Sequence, residues 1–372
     1  MPIVVLFFKS NGLTMQDIFT LQAVYSVTLM ALEIPTGYFA DLAGRRNSML
    51  LGSFFGFLGY LVFSATSGFW PFVLAEIVLG IGMSLVSGAD SAMLFDSLAS
   101  KGKAGKYTFY EGRITSTGNY AEAIAGIVGG LLAVISLRTP YYVQAAVAFI
   151  AIPSAMILRE PPFHRNISKP RIRDVISIVA RVLHGDRKLF WNTLFSAFTG
   201  VSTLTMAWFA QPFFIKAELK VTLFGIVWAV LNLAAGIAAS FAWRVESRLG
   251  APRTVMLFTF FLVVGYFGLA LTGNYWGFLF LVSFYVARGI ATPTLRNYIN
   301  VITSSEIRAT VLSVRSFIIR GVFALLGPLY GLITDRFGLT TALLLAGLVF
   351  GLLSGGSMFF FLKYRTFEKE GH

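Results

Sequence analysis

The sequence predicts an all-α membrane protein built from two bundles of six helices, and three observations lead to this fold class. Of the 372 residues, 56% are hydrophobic and 13% are charged, and a typical globular chain has about twice that share of charged residues. The apolar residues fall in runs long enough to cross a bilayer. The positive charges collect in short loops between these runs, which is typical of a membrane protein.

The apolar runs define the predicted helices, since a spanning helix needs about 20 mostly apolar residues. The segment Met1–Phe8 is apolar but too short to span, and it ends at the polar residues Lys9–Gly12. We expect it to be the outer end of a first helix, which gives twelve helices with the first truncated at its N-terminus. The other eleven runs are 17–41, 46–67, 70–99, 107–136, 139–158, 189–215, 219–247, 253–272, 275–303, 307–335 and 338–362.

The lysines and arginines of the loops are distributed unevenly, with twenty on one side of the membrane and five on the other. The positive-inside rule places the richer side in the cytoplasm. We therefore expect a multi-pass protein of the cell's inner (plasma) membrane with both termini in the cytoplasm. This distribution also accounts for the net charge of +13 without a nucleic-acid partner.

The longest loop, 159–188, separates an N-terminal six-helix bundle (1–158) from a C-terminal one (189–372). Arginines flank a set of apolar residues in this loop that recur at helical spacing. The pattern predicts an amphipathic helix lying on the inner leaflet, and the alternative is a solvated linker. The apolar set is Ile172, Val175, Ile176, Val179, Val182 and Leu183.

The two predicted bundles carry a repeated pattern. Gly37-x-x-x-Asp41-x-x-Gly44 recurs as Gly331-x-x-x-Asp335-x-x-Gly338. Together with the division into six and six helices, this pattern favours paired repeats. Transporters built from such repeats hold their solute near the middle of the membrane, between the two halves.

The segment Gly37–Arg46, which reads GYFADLAGRR, lies between the second and third predicted helices. It resembles the cytoplasmic-loop signature of the major facilitator superfamily, Gly-x-x-x-Asp-x-x-Gly-Arg-Lys/Arg, and the resemblance extends over the whole chain. It implies two six-helix bundles that rock about a shared cavity and expose it to each side in turn. The predicted gating motif consists of Gly37, Asp41, Gly44, Arg45, Arg46 and Asp96.

Two segments depart from patterns of that family. Many proton-coupled members carry arginine in a pattern like Arg-x-x-x-Gly-x-Gly, where this chain has Glu76 in Glu76–Gly82. At this position the chain therefore carries a glutamate in place of the arginine of those proton-coupled members. Antiporters often carry Gly-Pro-x-x-Gly-Gly in the fifth helix, but Ala125–Gly130 lacks the proline, whereas Gly327–Gly331 of the eleventh helix has one.

Ionisable residues inside a membrane are candidates for function because burying them is costly. Counted at about 1.5 Å per residue, the positions of Glu122, Arg288 and Arg320 fall near the midplane of their predicted helices. With Glu76, they form the predicted site for solute and protons. The side chains of Trp208, Trp228, Tyr285 and Asn232 could line the same cavity, although aromatic residues at such positions more often serve packing.

Two charge pairs are also predicted. Asp90 and Arg113 flank the turn between the fourth and fifth helices almost symmetrically, so we expect them to pair within the N-terminal bundle. Glu33 shares a helix face with Asp41 and should be level with Arg315 of the eleventh helix. This register predicts contacts between the bundles, Glu33 with Arg315 and Asp41 with the first turn of the eleventh helix. The alternative is that Glu33 pairs with Arg113.

These patterns predict a secondary active transporter working by alternating access, with proton-coupled efflux of a drug or metabolite as the leading function. The alternative is uptake of an organic anion by Arg288 and Arg320, since guanidinium groups bind carboxylate and phosphate. An intramembrane enzyme is a remote alternative, because no catalytic constellation stands out. There is no cysteine and no phosphate-binding loop, so we expect no cofactor or metal. The expected partners of the monomer are a small-molecule solute, protons and the lipid bilayer.

Overall fold

The computed structural model of the chain describes residues 2–103, 106–160, 186–303 and 308–364. This part of the chain is helical and contains no strand. Eight of its helices are long and apolar enough to cross a membrane, judged by length and composition. The predicted all-α membrane fold is therefore confirmed.

The helices follow the predicted runs closely. The two longest, α9 and α11, bend at Gly250 and Gly338, so that each contains two of the predicted helices. The elements in chain order are α1 (Val4–Ser10), α2 (Met15–Ala43), α3 (Arg45–Ala65), α4 (Phe69–Val86), α5 (Ala89–Ala99), α6 (Tyr107–Ile135), α7 (Thr139–Ile157), α8 (Arg187–Lys216), α9 (Val221–Thr272), α10 (Gly277–Ile302) and α11 (Arg308–Lys363).

The predicted run 70–99 matches one candidate membrane span, Phe69–Ala99, but the chain leaves the helical conformation within it, between α4 and α5. Ser87 has ψ 123°, and Gly88 has φ 81° and ψ −32°. A positive φ is easily reached only by glycine, so Gly88 allows the break. As a result, Asp90 lies in the first turn of a new helix.

The chain divides into two compact units. The first unit comprises Met1–Ile167 and Val221–Ile226, and the second comprises Ser168–Lys220 and Val227–His372. The amphipathic helix predicted in the loop 159–188 falls on 161–185, which lie outside the described residues.

Aromatic packing holds the short helix α1 in the first unit. Phe7 and Phe8 are each 1% exposed. The ring centroids of Phe7 and Tyr141 are 3.9 Å apart, and Phe8 contacts Phe63 and Phe72 at 5.7 and 5.5 Å. A seven-residue helix is unstable alone, so this packing explains why α1 is helical.

Helix α8 is the most buried element of the second unit and packs against α10 and α11. Its aromatic residues Phe195, Phe209 and Phe213 are fully buried. The same helix also buries a series of hydroxyl side chains, three residues apart, and these give the second unit a partly polar core. The series is Thr193, Ser196, Thr199, Ser202 and Thr205.

Candidate functional site

The predicted gating motif lies where α2 turns into α3. Gly44 joins the two helices with φ 92° and ψ 148°, a backbone conformation that favours glycine. A Cβ at this position would lie 3.2 Å from the carboxyl carbon of Glu160. The glycine therefore lets Glu160, three residues after the end of α7, approach the first turn of α3.

Glu160 binds the N-terminus of α3 with both carboxylate oxygens. The backbone N–H of Arg45 donates to Oε1 at 2.9 Å, and that of Arg46 donates to Oε2 at 2.8 Å. An acidic group is favourable there because the free N–H groups and the helix dipole both attract negative charge. Glu160 is absent from the residues that the sequence predicts, and its signal is an acidic residue just after an apolar run in a basic loop.

The two arginines of the motif join α3 to neighbouring helices. Arg45 forms an ion pair with Asp96 through Nη1 and Oδ2. Arg46 donates from Nη2 to the backbone oxygen of Met156 at 2.7 Å. The motif therefore links α3 to α5 and α7 inside the first unit.

The other motif residues are more open. Gly37 and Asp41 are exposed in the first unit. The contact of Asp41 with the first turn of the eleventh predicted helix stays a prediction, since residues 304–307 lie outside the described part.

The repeated pattern ends each time in the same backbone conformation. Gly338 has φ 82° and ψ 162°, close to the values of Gly44. Gly250 also has this conformation, with φ 74° and ψ 162°, at the bend of α9. Next to it, Glu246 accepts a hydrogen bond from the Tyr298 hydroxyl at 3.2 Å.

Glu76 is the most buried carboxyl group of the first unit among the described residues, at 4% exposed. Its Oε1 accepts a hydrogen bond from Gln22 Nε2 at 2.7 Å, which joins α4 to α2. Tyr60 and Tyr141 are close enough to interact electrostatically with the carboxyl group. No lysine or arginine of the described chain pairs with it.

Glu76 is seven residues from the start of α4, or about 10 Å along the helix. Glu122 lies midway along α6 and is exposed. Its carboxylate makes no ion pair within the described residues. The first unit therefore has two candidate proton-carrying groups in different surroundings, one enclosed by polar side chains and one open.

Asp90 Oδ1 accepts the backbone N–H of Ser91 at 2.7 Å. The break at Gly88 places this carboxylate in a first helical turn, where backbone N–H groups are free. The predicted pair between Asp90 and Arg113 stays a prediction. Glu33 is half-buried.

In the second unit, Arg288 lies over an aromatic pair. Its guanidinium carbon is 5.4 Å from the ring centroid of Tyr285, and that ring meets Trp228 edge-on at 6.5 Å. Asn232 donates to the backbone oxygen of Trp228 at 2.9 Å, so its amide bonds within its own helix. Four of the predicted residues of the second unit therefore lie together.

The remaining candidates of the second unit are half-buried and less closely placed. Arg320 lies on α11 and Trp208 on α8. Neither Arg288 nor Arg320 has a carboxylate partner in the part of the chain that the structure describes. Arg315 donates from Nε to Ser196 Oγ at 2.5 Å, and its predicted contact with Glu33 stays a prediction.

Comparison with known families supplies the classification of this architecture. A family profile described as Major Facilitator Superfamily matches residues 1–328. The chain belongs to this superfamily. Members of this superfamily are membrane transporters and not enzymes.

Relatives of this transporter match part of its length. An uncharacterized MFS-type transporter of Methanocaldococcus jannaschii is 23% identical over 179 residues, which cover 48% of this chain and 45% of the relative. The quinolone resistance protein NorA of Staphylococcus aureus is 22% identical over 161 residues, covering 43% and 40%. The matched segments thus span less than half the length of these relatives.

Solved structures extend the likeness to the whole fold. The nucleoside transporter NupG, as a single-residue mutant, aligns with a TM-score of 0.79 at 16% identity, covering 97% of this chain and 93% of that one. A D-xylose-proton symporter aligns with a TM-score of 0.77 at 13% identity, covering 99% and 93%. At these identities the likeness shows the fold alone.

One further residue of this transporter organises the end of the first unit opposite the gating motif. Arg138, between α6 and α7, donates from Nη1 to the backbone oxygens of Ser64 and Thr66 at 3.1 and 2.8 Å. Its Nη2 donates to Asn11 Oδ1 at 2.8 Å and Ser67 Oγ at 2.7 Å. The sequence places Arg138 only among the few charges of the outer side, because its four acceptors come from two distant turns.

Proposed function

We propose that this transporter exports a small molecule, such as a drug or a metabolite, in exchange for protons, and that Glu76 carries the proton. We place the protein in the inner (plasma) membrane with both termini in the cytoplasm, following the charge distribution. The observation that carries the proposal is the burial of Glu76 at 4% exposed with an amide as its hydrogen-bond partner.

The surroundings of Glu76 suit a group that gains and loses a proton. A charge that is buried without an ionic partner costs several kcal/mol, and protonation removes this cost. The amide of Gln22 can donate to a carboxylate or, when turned, accept from a carboxylic acid. The hydrogen bond between Gln22 and Glu76 can therefore persist in both protonation states of the carboxyl group.

The gating motif supplies the second half of the proposal. The contacts of Arg45 with Asp96 and of Glu160 with α3 hold the motif's loop within the first unit. We infer that Glu33 and Asp41 meet the eleventh predicted helix when the cytoplasmic side closes. Contacts of this kind bias a two-state equilibrium by about 1–3 kcal/mol, which is enough to couple proton binding to access.

The likeness to NorA supports export and suggests a probe. Its printed name concerns quinolone resistance, so a fluorescent quinolone is the first solute to test. Protein in liposomes should move the quinolone faster when a pH gradient is imposed. The Glu76→Gln variant should still exchange quinolone across the membrane but lose the response to the gradient.

Two variants control this experiment. Glu218→Gln changes an exposed carboxylate between α8 and α9, and its transport should respond to the gradient as the wild type does. Glu122→Gln tests the other midplane carboxylate. If Glu122→Gln loses the response while Glu76→Gln keeps it, the proton is carried by Glu122, and the proposal for Glu76 is wrong.

A second candidate function, uptake of an organic anion, is favoured by Arg288. This half-buried cation lies over the ring of Tyr285 and has no carboxylate partner within the described residues. A cation above an aromatic surface suits an aromatic carboxylate, which can use the charge and the ring together. Uptake of labelled benzoate that is lost in Arg288→Ala but kept in Arg336→Ala would favour this function.

A further inference from the structure

Arg315 is the most buried cation among the described residues of the second unit, at 8% exposed. It points from α11 to α8, where its Nε donates to Ser196 Oγ at 2.5 Å. One turn further along α8, a Cβ on Gly200 would lie 3.5 Å from Nη2 of the same guanidinium. Helix α8 thus forms a close-fitting wall on one side of the arginine.

The charge of Arg315 is not balanced within the described part of the chain. A guanidinium group stays protonated in proteins, and the described partner of this one is a neutral hydroxyl. No carboxylate of the described residues pairs with it. The charged group that acts on it is Arg296, which has the same sign. A buried cation in this position calls for an anion.

Three residues of the second unit lie at similar distances from the neighbouring ends of their helices. Ser196 is nine residues from the start of α8, Arg315 is seven from the start of α11, and Arg296 is six from the end of α10. These offsets correspond to about 9–14 Å along each helix. The three helix ends belong to the side that the charge distribution assigns to the cytoplasm.

An apolar cluster packs between Arg315 and the nearby helix ends of the second unit. Leu189, Ile299, Val311 and Val314 form a buried cluster at the same ends of α8, α10 and α11. The cluster keeps water away from Arg315 on that side, and low local water content strengthens charge–charge attraction.

Unpartnered hydroxyl groups add to the polar character of this region. Thr193 and Thr199 lie three residues before and after Ser196 and are 1% and 2% exposed. Neither Oγ1 atom has a hydrogen-bond partner in the described structure. Buried hydroxyls are normally bonded, so α8 has spare donors on both sides of the residue that holds Arg315.

We propose that Arg315, Arg296 and Ser196 form a binding site for a small oxyanion, namely the carboxylate or phosphate group of a small molecule. Nη1 and Nη2 of Arg315 make no hydrogen bond within the described residues, so the guanidinium keeps two donors side by side. This edge matches the two oxygens of a carboxylate or phosphate, and Arg296 adds a second positive charge. The site is distinct from Arg288 and does not depend on proton coupling.

The test measures thermal unfolding of the purified full-length protein in detergent with sodium benzoate or inorganic phosphate as probes. Sodium chloride keeps the ionic strength constant, and benzamide serves as a neutral analogue of benzoate. We expect at least one of the two anions to raise the unfolding temperature in a saturable way, and benzamide to have no effect. A response to benzoate identifies the ligand group as carboxylate, and a response to phosphate identifies it as phosphate.

Variants then locate the binding. Arg315→Gln should weaken the apparent affinity by about tenfold or more, as loss of a charge-assisted hydrogen bond does. Ser196→Ala should weaken it less, because the hydroxyl orients the arginine without charge. Arg336→Gln removes an exposed arginine from the same helix and should bind as the wild type does.

Two results would overturn the site. One is a wild-type protein that neither anion stabilises, which is also the result expected if Glu33 occupies the arginine permanently. The other is equal stabilisation of the wild type and Arg315→Gln. If Arg315→Gln fails to fold, Arg315→Lys takes its place: it keeps the charge but loses the two-pronged edge, and affinity equal to the wild type would contradict the proposal.

Discussion

Single polar side chains hold together turns that lie far apart in this sequence. In the first unit, Arg138 connects the turn after α1 with the turn between α3 and α4. In the second unit, Lys216 reaches from the end of α8 to Thr340 Oγ1 at 2.5 Å. Each unit therefore has a long basic side chain that links segments distant in the sequence.

Replacing Arg138 with glutamine should destabilise the first unit. The variant loses most of four hydrogen bonds, and bonds to a charged donor each contribute about 1.5–3 kcal/mol. Since glutamine can keep one or two of them, we expect the free energy of unfolding to fall by about 3 kcal/mol or more. Denaturant unfolding in detergent measures the loss, with Arg336→Gln as the control. A change below about 0.5 kcal/mol, the usual scale for surface substitutions, would show that the contacts contribute little.

Glu160 is a second residue that connects distant segments through a few hydrogen bonds. The Glu160→Ala variant leaves two N–H groups of α3 without acceptors, and loss of such a cap costs about 1 kcal/mol. Since the segment Gly37–Arg46 of the gating motif ends at this turn, we expect slower solute exchange in liposomes with nearly unchanged solute affinity. Glu160→Gln, which keeps one acceptor oxygen, should lie between alanine and the wild type. A change in affinity alone, with the exchange rate preserved, would contradict a gating role.

Helix bends at glycine are the recurring feature at the level of elements. Gly44, Gly250 and Gly338 share one backbone conformation, and each lies at the junction of two consecutive predicted helices. The repeated sequence pattern predicts the first and third of these bends as a pair. The middle one is harder to predict, because the segment 246–253 keeps the glycine but loses the rest of the pattern.

Alanine at Gly338 isolates the effect of backbone conformation. The φ of 82° is unfavourable for alanine, and no atom lies within 4 Å of its new Cβ, so the cost of about 1–2 kcal/mol comes from the backbone alone. Gly355 on the same helix has equal space and no positive φ. Gly355→Ala should therefore stabilise by about 0.5–1 kcal/mol. Unfolding experiments on both variants measure the change in the free energy of unfolding, which should fall for Gly338→Ala and rise for Gly355→Ala. Equal changes in the two variants would mean that the conformation at Gly338 is not needed.

The sequence predicts the helices well because an apolar run of this length has few other ways to satisfy its backbone in a membrane. It misses the break at Gly88, since a glycine inside an apolar run is also common in unbroken membrane helices. It finds Arg45 and Asp96 through the motif. It misses Glu160 and Arg138, whose partners are distant in sequence and depend on the folded arrangement.

At the level of the whole molecule, the buried charged side chain is acidic in the first unit and basic in the second. The first unit buries the carboxyl group of Glu76, and the second buries the cation of Arg315 with Arg288 and Arg320 half-buried. Positions of such groups along their helices can be read from the sequence. Their partners cannot, because hydrogen bonds such as Gln22 to Glu76 depend on how neighbouring helices are rotated.

The most direct test of Glu76 as the proton carrier is the number of protons released when solute binds. A stabilisation screen over drugs, sugars and organic anions first identifies a solute. Adding this solute to purified protein in a weakly buffered solution should then release about one proton per molecule bound, as linkage requires of a group that exchanges proton for solute. The same addition to Glu76→Gln should release none while the solute still binds. Equal proton release from the wild type and Glu76→Gln would contradict the account.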